Sequence, residues 1–202
     1  MARDKVCVVI GAGDATGGAI ARRFAREGYT AVVTRRSAEK LQHLVAAIVK
    51  EGGKVHPFGS DARDEAEVER LFRQIETEIG EIEVFVFNIG GNVRFDIRDT
   101  TARVYRKVWE MTAFAGGKHA VRALAQSMAR ELGPQNIHVA HVVIDGAIDT
   151  EWIKANFPER YNAGPDAILA PDDIAEAYWQ LHRQKRSAWT FEMDLRPWKE
   201  SW

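Results

Sequence analysis

Apolar and polar positions along this chain follow two regular patterns in alternation. Short runs rich in valine and isoleucine, such as residues 5–10 and 137–146, have the length and composition of buried strands. Between such runs lie segments whose apolar residues recur every three or four positions, as on one face of a helix. The alternation predicts βαβ units and hence a parallel sheet covered by helices on both faces.

The pattern predicts six strands and six helices. The strands cover residues 5–10, 31–34, 54–58, a run from 83, 137–146 and 188–195. The helices begin near residues 17, 37, 64, 102, 118 and 171, and glycine pairs end or separate several of them. Residues 151–170 are predicted to be irregular. We therefore expect residues 1–202 to form a single α/β domain with a three-layer, doubly wound parallel sheet of Rossmann type.

Composition narrows the classes of partner. The 202 residues contain 28 Lys and Arg against 29 Asp and Glu, so the formal net charge is -1. This balance argues against a nucleic-acid or charged-membrane partner and favours a small molecule. No uninterrupted apolar run approaches the roughly 18 residues of a membrane span, and the single cysteine excludes an internal disulfide framework. We predict a cytoplasmic protein.

A glycine-rich turn joins the first predicted strand to the first predicted helix. Gly11, Gly13 and Gly17 are its principal glycines, and Gly18 follows them. The amino end of a helix offers free backbone N–H groups and a positive dipole end, which suit a diphosphate. Glycines also occur in ordinary turns, but their place between strand and helix is the one that a dinucleotide fingerprint requires.

The end of the second strand indicates which dinucleotide is bound. An acidic residue there would accept hydrogen bonds from a ribose 2'-hydroxyl, whereas Arg35 and Arg36 offer guanidinium groups suited to a 2'-phosphate. The sequence therefore favours NADP over NAD as cofactor. The alternative is that both are ordinary solvated surface arginines.

These motifs resemble those of the short-chain dehydrogenase/reductase family, and the resemblance extends over nearly the whole chain. The stretch IGAGDATG is similar to the family's glycine motif Thr-Gly-x-x-x-Gly-x-Gly, SDARD to its adenine-contacting Asp motif, FNIG to Asn-Asn-Ala-Gly, and DGAIDT to a Pro-Gly motif with a later Thr. The resemblance implies the following cofactor-binding residues: Gly11, Gly13, Ala15, Thr16, Gly17, Arg35, Arg36, Asp61, Ala62, Asn88, Gly90, Lys118, Gly146, Ile148 and Thr150.

The catalytic residues of the family are only partly present. The family's reaction is hydride transfer with a Tyr as acid/base, a Lys four residues later and a Ser on the preceding strand. The resemblance assigns the Lys to Lys118, which places Phe114, a residue with no proton to give, at the Tyr position. Between Gly90 and Lys118 there is no room for the strand that would carry the Ser. The pair Gly116-Gly117 marks the point where a segment is missing, so we expect the sheet to be one strand short.

Two hypotheses of different classes follow. In the first, the chain is an NADP-dependent oxidoreductase acting on a carbonyl or alcohol, with a proton donor outside these residues or a water molecule held by Lys118. In the second, it is a catalytically impaired dinucleotide-binding protein that acts as a redox-responsive binding partner. The resemblance also implies a homodimer or homotetramer. The six histidines show no metal-ligand spacing, and we predict no metal site.

Overall fold

The computed structural model describes residues 3–90 and 111–200, with the backbone alone for residues 111–115. Among these residues the strands are β1 (Asp4–Ile10), β2 (Thr30–Arg35), β3 (Lys54–Gly59), β4 (Gly80–Phe87), β5 (His141–Ile144) and β6 (Glu192–Leu195). The helices are α1 (Thr16–Arg26), α2 (Gln42–Lys50), α3 (Glu65–Gln74), α4 (Met111–Leu132), α5 (Glu151–Asn156), α6 (Pro158–Tyr161) and α7 (Pro171–His182).

The contacts divide the chain into two compact units. The first contains Met1–Asn88, Ile144–Arg183 and Leu195–Trp202, and the second contains Ile89–Val143 and Gln184–Asp194. The first unit holds a four-stranded parallel sheet in the order β3-β2-β1-β4. The order places the chain's first strand inside the sheet, as in a doubly wound α/β fold. This confirms the predicted fold class.

Alternate residues of β1 face opposite sides of the sheet and form two cores. Cys7 and Val9 pack with residues of α1, α2 and α7 on one face. Val6, Val8 and Ile10 pack with α3 and the turn that follows it on the other. Because helices cover both faces, the buried part of β1, Val6 to Ile10, consists of apolar residues without a polar alternate. Burial raises the pKa of the Cys7 thiol, so this cysteine is an inert core residue.

Helix α1 is anchored by α7 through aromatic and charged contacts. Phe24 stacks edge-on against Trp179 with ring centroids 5.3 Å apart. Arg23 donates from Nε to Glu176 at 2.8 Å, and Arg22 pairs with Asp172 at 2.6 Å. These contacts fix the axis of α1, and with it the direction in which its amino end points.

The second unit contains α4 and most of β5 and β6, which form a two-stranded sheet. His138 stacks on Trp189 with ring centroids 4.8 Å apart and bonds the carbonyl oxygen of Thr190 at 2.8 Å. On α4, three apolar side chains at helical spacing are exposed, namely Val121, Leu124 and Met128. No described helix has both the length and the hydropathy needed to cross a membrane.

Several predicted boundaries differ from the observed ones. The prediction that Gly116-Gly117 separates two helices is wrong, because α4 continues through both glycines; its earlier part, 102–110, lies outside the described residues. The strand predicted at 137–146 is shorter, and the irregular segment 151–170 contains α5 and α6. Helix propensity of the residues flanking a glycine pair offsets its cost of about 1 kcal/mol per glycine. The single-domain prediction stays a prediction.

Candidate functional site

The turn after β1 is built on backbone hydrogen bonds to β2. Gly11 has a φ of 86°, a left-handed conformation that favours glycine. The N–H groups of Gly11 and Ala12 both donate to the carbonyl oxygen of Thr34, at 3.1 and 3.0 Å. Gly13 then donates to the carbonyl oxygen of Gly11 at 3.1 Å. The turn therefore curls over the carboxyl ends of β1 and β2.

Each remaining glycine of the turn has its own steric setting. A Cβ at Gly17 would lie 2.4 Å from the carbonyl oxygen of Gly11 and 2.8 Å from Nδ2 of Asn88. A Cβ at Gly18 would lie 2.3 Å from the carbonyl oxygen of Gly13. Around Gly13, by contrast, nothing lies within 4 Å of such a Cβ. Gly17 and Gly18 are thus needed for packing, and Gly13 leaves open space above the turn.

The amino end of α1 has unsatisfied polar groups. Its first flanking residue, Ala15, has no side chain that can cap the helix, and no acidic residue lies in the first turn. Thr16 is 5% exposed, and its Oγ1 is buried with no hydrogen-bond partner among the described residues. Free N–H groups, an unused hydroxyl and a positive helix end are the features that an anionic group can satisfy.

Asn88 joins the end of β4 to the glycine turn. Its Nδ2 donates to the carbonyl oxygen of Gly11 at 3.1 Å, and its backbone N–H donates to Ile10 at 2.9 Å. Both bonds hold the turn in place from the side of β4. Gly90, predicted with Asn88, belongs to the second unit, and its role stays a prediction.

Arg35 and Arg36 lie at the carboxyl end of β2. Nη1 of Arg35 is 4.0 Å from Oδ2 of Asp14 in the glycine turn and 3.4 Å from the carbonyl oxygen of Lys40. Arg36 is exposed. The structure thus brings one predicted phosphate-binding arginine into reach of the turn, and leaves the other in solvent beside it.

The loop after β3 places Asp61 next to this group. The N–H of Ser60 donates to the carbonyl oxygen of Arg35 at 2.9 Å. The side chain of Arg63 hydrogen-bonds the Asp61 carboxylate and, with the Arg63 N–H and the charges of Arg63 and Arg36, lowers its pKa to about 2. Ala62 packs partly buried against the core under α3. Sequence reasoning had no signal for the Arg63 pairing.

The segment after β5 runs beside Leu169. Leu169 donates to the carbonyl oxygen of Ala147 at 2.8 Å and accepts from the N–H of Asp149 at 2.9 Å. Ile148 lies between them in an isolated bridge, so its own N–H and C=O point away from Leu169. Neither the N–H nor the C=O of Ile148 has a hydrogen-bond partner among the described residues, so both backbone groups are available to a ligand.

The two residues that flank this segment have structural roles. A Cβ at Gly146 would lie 2.5 Å from Cδ of Pro197, so no larger residue fits there. Thr150 caps α5, because its Oγ1 accepts from the N–H of Ile153 at 3.1 Å. A bond to a cofactor through the Thr150 side chain has to share the hydroxyl with this cap.

Lys118 is exposed on α4 in the second unit. Its predicted catalytic role stays a prediction. The described residues contain no cluster of three or more His, Cys, Asp or Glu side chains that could hold a metal ion.

Comparisons with known proteins agree on one family. The profile described as short chain dehydrogenase matches residues 5–112. A short-chain dehydrogenase from Rhodopseudomonas palustris, known from its crystal structure, is 39% identical and superposes with a TM-score of 0.80 over 97% of this chain and 100% of its own. The actinorhodin polyketide ketoreductase crystallised with NADPH is 19% identical with a TM-score of 0.85, over 98% of each chain.

A curated relative bears on the length of the chain. An uncharacterized oxidoreductase from Staphylococcus aureus (strain USA300) is 24% identical over 233 aligned positions, which cover 96% of this chain and 97% of the relative. Those 233 positions exceed the 202 residues here by 31, so at least 31 aligned positions have no residue in this chain.

Proposed function

Because this chain belongs to the short-chain dehydrogenase family, we propose that it is an NADP-dependent oxidoreductase that transfers hydride between the nicotinamide and a small carbonyl or alcohol substrate. The observation that carries the proposal is the position of Arg35 and Arg36 at the end of β2, beside the glycine turn. Two guanidinium groups suit the doubly charged 2'-phosphate, whereas the acidic residue that would accept from a free 2'-hydroxyl is replaced by arginine at the end of β2.

The residues present fit this cofactor. The uncapped N–H groups of α1 and the unused Thr16 hydroxyl would hold the diphosphate above the open face of Gly13. The unpaired N–H and C=O of Ile148 would hold the nicotinamide carboxamide. Asn88 would keep the turn in its binding shape through its bond to Gly11. When bound, NADPH supplies a hydride from C4 of its nicotinamide ring.

Lys118 is the proposed catalytic residue. Its ammonium group would hold the nicotinamide ribose and stabilise negative charge that develops on the substrate oxygen. Phe114, four residues earlier, has no proton to donate, so the proton would come from a water molecule held by Lys118 or from a group outside these 202 residues.

We propose a second candidate function because Phe114 stands where the family resemblance places the catalytic Tyr. At least 31 aligned positions are missing here, and the family profile ends at residue 112, four residues before Gly116. Loss of the Ser and Tyr segment at this point would leave a protein that binds the dinucleotide without efficient turnover. Such a protein would act as a redox-responsive binding partner.

We further propose that the protein forms a homodimer or homotetramer and works in the cytoplasm on a small molecule, without a nucleic-acid or membrane partner. The near balance of 28 basic and 29 acidic residues supports the proposal that no nucleic acid or membrane is a partner. Exposed apolar residues on α4, such as Leu124 at 61% exposure, support the proposed homodimer or homotetramer.

Cofactor choice is tested by fluorescence titration with NADPH and NADH. We expect NADPH to bind more tightly by about 1–3 kcal/mol, the range of charge-assisted contacts. The double variant Arg35→Ala/Arg36→Ala should lose this preference while it keeps its affinity for NADH. Equal affinities of the wild type for both cofactors would refute the assignment.

Catalysis separates the two candidate functions. For a protein of confirmed 22.7 kDa intact mass, we measure NADPH oxidation with a panel of ketones, aldehydes and quinones, beside Lys118→Ala. Because an acid/base group contributes about 10²- to 10⁴-fold, turnover at least about a hundredfold below that of a complete relative supports the impaired binder. Turnover equal to the relative's, lost in Lys118→Ala, supports the enzyme.

A further inference from the structure

Arg63 lies in the loop between β3 and α3 and is bound to Asp61 by several hydrogen bonds. Nε of Arg63 donates to Oδ1 of Asp61 at 2.9 Å, and Nη2 donates to Oδ2. The backbone N–H of Arg63 also donates to Oδ1, at 3.1 Å. A guanidinium that meets a carboxylate through two nitrogens is fixed in plane and direction.

The loop that carries this pair is itself held at both ends. The N–H of Asp61 donates to Oε2 of Glu67 at 2.8 Å. Asp64 caps α3, because its Oδ1 accepts from the N–H of Glu67 at 3.1 Å, and its own N–H donates to the carbonyl oxygen of Asp61 at 2.9 Å. Arg63 is therefore attached to an ordered turn, which lowers the entropy cost of using it for binding.

Part of the Arg63 guanidinium is not used by Asp61. Its contact involves Nε and Nη2, and among the described residues no group accepts from Nη1. The side chain is 71% exposed. Two N–H donors of Nη1 thus remain for an anion in solution.

Arg63 lies in a loop at the same carboxyl edge of the sheet as the other two arginines. Ser60 bonds the carbonyl oxygen of Arg35, so the ends of β2 and β3 meet there. The charge of Arg36 also contributes to lowering the pKa of Asp61. The guanidinium groups of Arg35, Arg36 and Arg63 lie at this edge of the sheet together with the carboxylates of Asp14, Asp61 and Glu67.

We propose that Arg63 is a third specificity-determining residue for the 2'-phosphate of NADP, positioned by Asp61 and acting together with Arg35 and Arg36. The proposal rests on the proposed function, since it concerns the same nucleotide. Asp61 is then first a support for Arg63, because both of its carboxylate oxygens accept hydrogen bonds from the Arg63 side chain.

The test is calorimetric titration of the purified chain with two nucleotides that differ only in where the second phosphate lies. Adenosine 2',5'-bisphosphate carries the 2'-phosphate, and adenosine 5'-diphosphate lacks it. The variants are Arg63→Ala, Arg63→Lys and the control Arg70→Ala, which removes an exposed arginine of α3. Neither probe depends on turnover, so the result is independent of whether the chain is an active enzyme.

In Arg63→Ala, we expect the preference for the bisphosphate over the diphosphate to fall about tenfold, while diphosphate affinity changes less than about twofold. Arg63→Lys should lose part of the preference, because a lysine cannot reproduce the two-nitrogen contact with Asp61. Arg70→Ala should match the wild type.

The outcomes separate this inference from the proposed function. A wild type without preference for the bisphosphate contradicts the choice of NADP itself. A preference that Arg35→Ala/Arg36→Ala removes but Arg63→Ala leaves unchanged overturns the role of Arg63 alone. Equal losses for both probes in Arg63→Ala also overturn it, because they show that Arg63 supports the loop rather than the phosphate.

Discussion

Strands β1 and β4 are neighbours in the same sheet and both consist largely of apolar residues, yet their surroundings differ. In β1, Val6 to Val9 are completely buried. In β4, Phe85 and Phe87 are 48% and 55% exposed. β1 has a hydrogen-bonded strand on each side, whereas β4 is the last strand of its sheet among the described residues.

The difference in burial between β1 and β4 coincides with the boundary between the proposed cofactor-binding and catalytic segments. The glycine turn and the arginines of the candidate nucleotide site follow β1 and β2, where the sheet is complete. The segment in which the family resemblance places the Ser and the Tyr comes after β4. We expect the proposed cofactor binding, which depends on β1 and β2, to be separable from catalysis.

The largest expected effect is on stability, and it is measured by replacing one phenylalanine packed against β1 and one in β4. Phe24→Ala removes a side chain that is 1% exposed in the core against β1, and we expect a loss of about 3–5 kcal/mol in the free energy of unfolding. Phe87→Ala removes a half-exposed side chain of β4 and should cost less than about 1 kcal/mol. Urea unfolding measures both. Similar losses would show that β4 is as well packed in solution as β1.

Two glycines test the packing of the turn that follows β1. Gly17→Ala adds a methyl group 2.4 Å from the carbonyl oxygen of Gly11 and should cost about 1–3 kcal/mol of stability, with loss of nucleotide binding. Gly13→Ala adds one in open space, so stability should change by less than about 0.5 kcal/mol. Because the diphosphate is proposed to lie there, the affinity of Gly13→Ala for adenosine 5'-diphosphate should still fall about tenfold. Unchanged affinity would move the diphosphate elsewhere.

The smallest expected effect concerns the pKa of Asp61, which is measured by acid titration. Its pKa is lowered to about 2, below the ordinary value of about 3.9, because Arg63 binds the ionised form. The pair therefore contributes stability that is present above about pH 4 and is lost as the pH falls towards 2. Carboxyl NMR should give a midpoint near 2 in the wild type and a higher one, towards the ordinary value, in Arg63→Ala. A normal midpoint in the wild type would mean that the pair is not formed in solution.

Much of the first unit could be predicted from local signals. The order of strands and helices follows from residue periodicity, and Asp64 was recognisable as the cap of α3 by its residue type and position. The same signals failed at Gly116-Gly117, because helix formation by the residues on both sides outweighs the cost of two glycines. The strand at 137–146 was overestimated, since an apolar run does not show how much of it will find a partner strand.

The sequence by itself determined the family, the sheet with helices on both faces, and the glycine turn followed by arginines, because each depends on residues close together in the chain. Only the tertiary structure decided that Gly17 has to be glycine against Asn88, 71 residues away, and that Thr16 keeps an unused hydroxyl. It also decided that Arg63 holds the carboxylate of Asp61. Contacts across strands depend on how the sheet is assembled, and no local pattern of residues encodes the direction in which a buried hydroxyl or an exposed guanidinium finally points.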